Sequence, residues 1–151
     1  MSARTFRVSE HYDAPLARVF ALLVDADVQQ RKSIFLGARA ARCERRADGR
    51  LVVTERRARL GREIESVIEL RPDADGARVS WSQRQAALPV LVDGVIELVA
   101  AGERRCELVF RGEVRAELRV LGGVVVRGVA RAIVAAKRRE HGFYLAELAR
   151  G

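Results

Sequence analysis

The chain has 151 residues, of which 49% are hydrophobic and 32% are charged. This balance is typical of a globular domain with a sizeable core, so we expect a single domain over residues 1–151. The formal net charge is +8. The chain has no run of about 18 apolar residues and no apolar stretch near its start, which argues against a transmembrane helix and a secretory signal and predicts a cytoplasmic location.

The basic charge raises the question of nucleic-acid binding. Only Lys32 and Lys137 of the 28 basic residues are lysines, and the arginines are dispersed among acids, as in Arg62, Glu63 and Glu65. No zinc-finger, helix-turn-helix or RNA-recognition signature is present. Solvated surface charge is the favoured interpretation, and a nucleic-acid surface is the alternative. The cysteines and histidines lack metal-ligand spacing, so we expect free thiols and neither a metal nor a cofactor.

The first predicted element is a strand over residues 4–12, in which Phe6, Val8, Glu10 and Tyr12 share one side. If the apolar residues face a core, Glu10 points inward as well. An inward carboxylate must be paired, protonated or wetted by a cavity. The slightly favoured alternative is a frayed strand end that leaves Glu10 in solvent.

Two short helices are predicted next. Asp13 can cap the first, and Pro15 suits its first turn. The apolar stripe of this helix consists of Val19, Phe20, Leu22 and Leu23. Asp25 offers a cap for the second helix, which we expect over about residues 27–35, before Gly37.

From residue 38 to residue 118 the apolar period changes to two, which predicts six strands. We expect them at about residues 38–47, 50–59, 63–71, 77–86, 94–101 and 104–118. Short turns such as Ala47-Asp48-Gly49 make neighbouring strands antiparallel, and residues 89–94 are expected to form a looser connection. The inward-facing candidates include Ile64, Ile68, Leu70, Val79, Trp81, Gln83, Ile96, Leu98, Cys106, Leu108, Phe110 and Val114.

The longest predicted element is a helix that starts at a Gly122-Gly123 turn and continues to the C-terminus. Its apolar residues recur at helical spacing, at Val126, Ala130, Ile133, Tyr144 and Leu148. The same spacing places Lys137 and Glu140 in the middle of this stripe. The favoured interpretation is an ion pair whose long stems reach the surface. The alternative is a polar anchor inside a cavity, joined by Glu10, for a ligand carboxylate or hydroxyl.

The element order predicts an α+β protein, in which a seven-stranded antiparallel sheet curves around the C-terminal helix. A bent sheet gripping one helix leaves a void that the two short helices close at one end. A void of this kind is the default ligand site. The residues expected to line it are Glu10, Tyr12, Phe20, Trp81, Gln83, Leu98, Leu108, Phe110, Val126, Ala130, Ile133 and Lys137.

The opening Phe6-x-Val8 strand, Asp13-Ala14-Pro15, residues 19–25, the paired strands and the final helix together resemble the helix-grip fold. This fold belongs to the START and SRPBCC superfamily, which includes birch-pollen-allergen-like proteins, polyketide cyclases and lipid-transport domains. More narrowly, residues 35–38 and 106–123 resemble an uncharacterised bacterial group, domain-of-unknown-function family 2505. The resemblance implies a small hydrophobic ligand and carries no catalytic motif. The high arginine content and the few aromatic residues depart from the typical pattern.

Three functions remain open. The favoured one is binding or carrying a small hydrophobic molecule, lipid- or polyketide-like, by a monomer or weak homodimer. The second is an aromatase/cyclase-type enzyme that uses the same cavity, with Glu10, Tyr12, His141 and Tyr144 as the available acid/base groups. His141 lies at the edge of the core stripe, which favours a boundary position. The third is a protein- or RNA-interaction module that uses the arginine-rich surface, for which we expect a filled cavity and a contiguous basic patch.

Overall fold

The computed structural model describes residues 1–85 and 88–151. Its strands form one seven-stranded antiparallel sheet in the order β1-β7-β6-β5-β4-β3-β2. The elements are β1 (Ser2–Tyr12), α1 (Leu16–Leu23), α2 (Ala26–Phe35), β2 (Ala40–Arg45), β3 (Leu51–Arg59), β4 (Arg62–Pro72), β5 (Arg78–Gln85), β6 (Val90–Ala100), β7 (Cys106–Ala116) and α3 (Gly122–Ala149). The predicted helix-grip architecture is confirmed.

The connection predicted at residues 89–94 is wrong, because β6 already begins at Val90. Val90 and Val92 are buried and lie opposite Ala116 and Val114 of β7. Gly94 suggested a turn, but it continues the strand. Residue 86, the predicted last residue of the preceding strand, lies outside the described residues.

The helix caps follow the sequence prediction in one of two cases. Asp25 caps α2, since its Oδ1 accepts a hydrogen bond from the Val28 N–H at 2.9 Å. Asp13 does not cap α1, which has Pro15 at its N-cap and no side-chain cap. Asp13 lies too far ahead of that helix and instead pairs with Arg105 at 2.9 Å.

A cluster of aromatic side chains fills the middle of the sheet's inner face. Gly94 and Gly112 lie opposite each other in β6 and β7, with Trp81 and Phe6 next to them in the same row. A Cβ atom at Gly112 would lie 2.9 Å from the Phe6 ring and 3.0 Å from the Trp81 ring. The space that a side chain would need is therefore occupied by these rings, whose centroids are 6.0 Å apart.

Helix α3 packs on β1 and β7 and also contacts α1 and α2. Its predicted stripe faces inward: Val126, Ala130, Glu140 and Tyr144 are buried, while Ile133 and Lys137 are half-buried. Gly122 and Gly123 form the first helical residues, after Leu121 in the left-handed conformation with φ 66°. Among the described residues, no helix has the length and apolar character needed to span a membrane.

Candidate functional site

A small hollow lies between the sheet and α3. It is lined by Val8, Glu10, Tyr12, Leu23, Ile96, Leu108, Phe110, Lys137, Glu140 and Tyr144. Its volume is about 20 Å³, which is room for about one water molecule. Sites for drug-sized ligands are typically about 300–1,000 Å³. Side chains therefore fill most of the interior.

The structure brings together some of the residues predicted to line a cavity. Glu10, Tyr12, Leu108, Phe110 and Lys137 surround the hollow. The others lie elsewhere on the inner surfaces: Leu98, Val126 and Ala130 are buried in the core, Phe20, Gln83 and Ile133 are half-buried, and Trp81 stacks on Phe110 with 4.7 Å between ring centroids. A role for any of these residues in ligand binding stays a prediction.

Three charged side chains meet beside the hollow, and we call Lys32, Glu140 and Lys137 the inner triad. The Nζ atoms of both lysines lie 2.6 Å from carboxylate oxygens of Glu140. Glu140 is only 3% exposed, so the prediction that the pair reaches the surface was wrong. The physical reason is that α2 covers this part of the stripe and supplies Lys32.

Sequence reasoning did not place Lys32 at the site, although a signal for it existed. Arginine supplies every other basic residue of the chain, yet both lysines lie against the same carboxylate. The rarity of lysine was visible in the sequence. The pairing of two positions so far apart in the chain was not.

The two lysines have different surroundings. Lys32 Nζ donates to Gln29 Oε1 at 2.7 Å and to the Tyr144 hydroxyl at 3.5 Å, while Gln29 Nε2 also donates to that hydroxyl at 3.0 Å. Lys137 Nζ, apart from its pairing with Glu140, lies 4.1 Å from the centroid of the Phe110 ring. Lys32 is therefore held in a polar network, whereas Lys137 lines the hollow and its Nζ lies over an aromatic ring.

These surroundings set the protonation states. Burial lowers the pKa of Lys137 to about 8, although Glu140 opposes this change. Burial also acts to lower the pKa of Lys32, but Glu140 and Tyr144 outweigh it and leave that pKa raised. Burial acts to raise the pKa of Glu140, and the two lysines overcome it and hold it below its ordinary value. At neutral pH Glu140 and Lys32 are charged and Lys137 is mostly protonated, so Lys137 is the more easily deprotonated of the two lysines.

A second polar group lies at the edge of the hollow. Strand β1 continues through Tyr12, which lies opposite Cys106, so the favoured prediction of a frayed end was wrong. Glu10 Oε2 is 3.9 Å from His141 Nδ1, and the Tyr12 and His141 rings are 4.7 Å apart. Burial raises the pKa of Tyr12, so its hydroxyl remains a donor at neutral pH. Partial exposure of His141 agrees with its predicted boundary position.

Two buried nitrogen atoms lack a hydrogen-bond partner within residues 1–85 and 88–151. They are Trp81 Nε1 and His141 Nδ1. The part of the chain that the structure describes contains no group of three His, Cys, Asp or Glu residues that could hold a metal ion. Cys43 and Cys106 are free, and burial raises the pKa of both thiols, which makes them weak nucleophiles.

The curved sheet, the long C-terminal helix and the hollow between them define the helix-grip fold. Residues 7–146 match the family described as "Protein of unknown function (DUF2505)". The chain belongs to this family. No curated protein sequence matches it.

Solved structures share the fold at low sequence identity. The Zhui aromatase/cyclase from Streptomyces sp. R1128 has a TM-score of 0.75 and 19% identity, over 99% of this chain and 95% of that chain. A START superfamily protein from Mycobacterium smegmatis has a TM-score of 0.69 and 12% identity, over 91% and 94%. For Ara h 8.0201 the TM-score is 0.68 and the identity 12%, over 96% and 99%. These similarities establish the fold alone.

Proposed function

We propose that the protein binds a small, largely apolar molecule carrying one polar oxygen group, in the space between the sheet and α3. The observation that carries this proposal is the inner triad, whose Lys137 and Glu140 line the hollow. The shared fold of START-like and aromatase/cyclase proteins supports a ligand-binding interior as well.

A gain in stability is a weak explanation for the inner triad. Replacing a buried ion cluster with apolar side chains is often neutral or stabilising, because removing charges from water is costly. Position 137 lies on the apolar stripe of α3, where a leucine or methionine would satisfy the packing. Packing does not require a charge at this position. A hydrogen bond from Lys137 to a ligand oxygen would explain why the residue is charged.

The ligand must displace side chains, because the hollow accommodates about one water molecule. Lys137 is the side chain best suited to move, since its stem is flexible and its Nζ rests on the Phe110 ring. The Trp81 ring stacks on the same Phe110 ring, and its buried Nε1 donor has no acceptor among the described residues. A ligand oxygen that reached this donor would also satisfy it.

The test compares dodecanoate with dodecanol by isothermal titration calorimetry. The unmodified protein should bind both probes and prefer dodecanoate. Lys137→Met should weaken dodecanoate binding by about tenfold or more, since it removes a charged donor, and change dodecanol binding little. The matched control is Arg139→Met, an exposed cation two residues further along α3.

Failure of both probes to bind would overturn the proposal. The anchor role of Lys137 ends if Lys137→Met is as stable as the parent and binds dodecanoate equally well. Native mass spectrometry of the purified protein adds an independent measurement, because a co-purified small apolar molecule is the expected result.

Catalysis on a bound molecule is the second candidate. It is favoured by the convergence of Glu10, Tyr12, Lys137 and Glu140 on one hollow, with the Lys137 pKa at about 8 near the range useful for general acid–base work. The fold of the Zhui aromatase/cyclase makes ring closure the reaction to test. A linear β-polyketone incubated with the protein should yield a product lighter by one water. Recovery of unchanged polyketone would count against catalysis while leaving binding intact.

A further inference from the structure

A second and larger concavity lies on the outside of the molecule, between β1 and α3. It has a volume of about 460 Å³ and is lined by Arg4, Thr5, Phe6, Arg7, Arg127, Ala130, Arg131, Val134, Ala135 and Arg138. Within residues 1–85 and 88–151, strand β1 is an edge strand of the sheet and pairs only with β7. We call this concavity the arginine groove.

The five arginines of the groove, at positions 4, 7, 127, 131 and 138, are exposed. None of them has an ion-pair partner within the described parts of the chain, and no acidic residue lines the groove. Glu113 lies opposite Thr5 in the register, but its carboxylate is 3.8 Å from Arg115. The groove thus concentrates positive charge that the protein itself does not neutralise.

Regular structure fixes the spacing of these charges. Arg127 and Arg131 are one helical turn apart, about 6 Å along α3, and Arg138 lies about 10 Å further on. Arg4 and Arg7 are about 10 Å apart along β1, and both border the groove although their side chains start from opposite faces of the strand. A single small anion reaches only two such side chains, whereas an anion with several charged groups can engage both walls.

We propose that the arginine groove binds a small anion that carries two or more phosphate groups. Guanidinium groups form bidentate hydrogen bonds with phosphate oxygens, and a polyanion relieves the repulsion among the arginines. The volume of about 460 Å³ is that of a small-molecule site. Thr5 adds a hydroxyl, and Phe6, Ala130 and Val134 give the groove an apolar floor.

A nucleic-acid strand suits the groove less well. Single-strand binding normally uses aromatic side chains on which bases stack. The aromatic residue of the lining is Phe6, which is 8% exposed and packs against Phe110. The arginines of α3 also extend over only about 16 Å, which matches a few phosphates.

The experiment measures binding of tripolyphosphate, inorganic phosphate and decauridylate by calorimetry in about 0.15 M salt, where exposed charges are already strongly screened. The groove variants are Arg127→Gln with Arg131→Gln on α3, and Arg4→Gln with Arg7→Gln on β1. The matched control is Arg59→Gln with Arg62→Gln, since both arginines are exposed and without an ion-pair partner among residues that the structure describes. Circular dichroism verifies that each variant folds.

Tripolyphosphate should bind much more tightly than phosphate, and each groove variant should weaken it by about tenfold, against less than about twofold for the control. If the groove and control variants lost the same tripolyphosphate affinity, the net charge of the protein would explain the binding, and the proposal would be overturned. Tighter binding of decauridylate than of tripolyphosphate would replace it with a nucleic-acid surface. Absence of tripolyphosphate binding would also overturn the proposal. The remaining role of the arginines would then be to prevent edge strand β1 from pairing with strands of other molecules.

Discussion

Two ion triads connect α2 to α3, and they differ in their exposure to water. In the inner triad, the side chains of Lys32, Glu140 and Lys137 are 14%, 4% and 21% exposed. In the outer triad, Glu147 binds Arg31 and Arg150, and the side chains of Glu147, Arg31 and Arg150 are 11%, 39% and 71% exposed. Adjacent residues of α2, Arg31 and Lys32, thus reach two carboxylates of α3.

The difference shows that charge composition alone does not determine what an ion cluster contributes. Each triad has two cations and one anion, and Arg31 of the outer triad also pairs with Asp27 at 2.9 Å. Water screens the outer triad, so its contribution to stability is small. The inner triad has lost most of its water, and each of its charges depends on its partners.

The largest effect is expected from Glu140→Gln. This change leaves two buried ammonium groups without their carboxylate and should reduce the free energy of unfolding by about 3–5 kcal/mol. Urea unfolding followed by circular dichroism measures it. A loss below about 1 kcal/mol would show that the inner triad behaves like a surface cluster.

The next largest effect is a pH dependence due to Lys137. Its folded pKa of about 8 lies below the ordinary 10.5, so the unfolded chain binds more protons between these values. The stability of the unmodified protein relative to Lys137→Met should therefore be lowest below pH 8 and rise by about 3 kcal/mol toward pH 10.5. The free energy of unfolding of both proteins, measured from pH 7 to pH 10, gives this difference. The tyrosines and thiols contribute equally to both proteins and therefore cancel. A constant difference would contradict it.

The smallest effect is expected from Glu147→Gln in the outer triad. The free energy of unfolding should fall by about 1 kcal/mol or less, because Arg150 is exposed and the partly exposed Arg31 keeps its ion pair with Asp27. In about 1 M salt even this loss should vanish, while the loss from Glu140→Gln should persist. Equal salt sensitivity of the two variants would remove the distinction between the triads.

The sequence was sufficient for the architecture and for part of the site. Apolar periods of two and of 3.6 identify the strands and α3, and helical spacing places Lys137 and Glu140 on the inner stripe. The contact of Lys32 with Glu140 could not be predicted, because it depends on how α2 docks on α3. The small volume of the hollow also depends on packing, since periodicity indicates which residues face inward but not how completely they fill the space.

The paired glycines of β6 and β7 bear on how much this interior can hold. Because Gly112 has no side chain, the rings of Trp81 and Phe6 occupy the space above it in the middle of the sheet. The rings of Phe6, Trp81 and Phe110 pack together and fill the space that the curved sheet encloses. The volume of the interior cavity is therefore set by the size of these rings. A single substitution of one of them can change that volume while the strands keep their places.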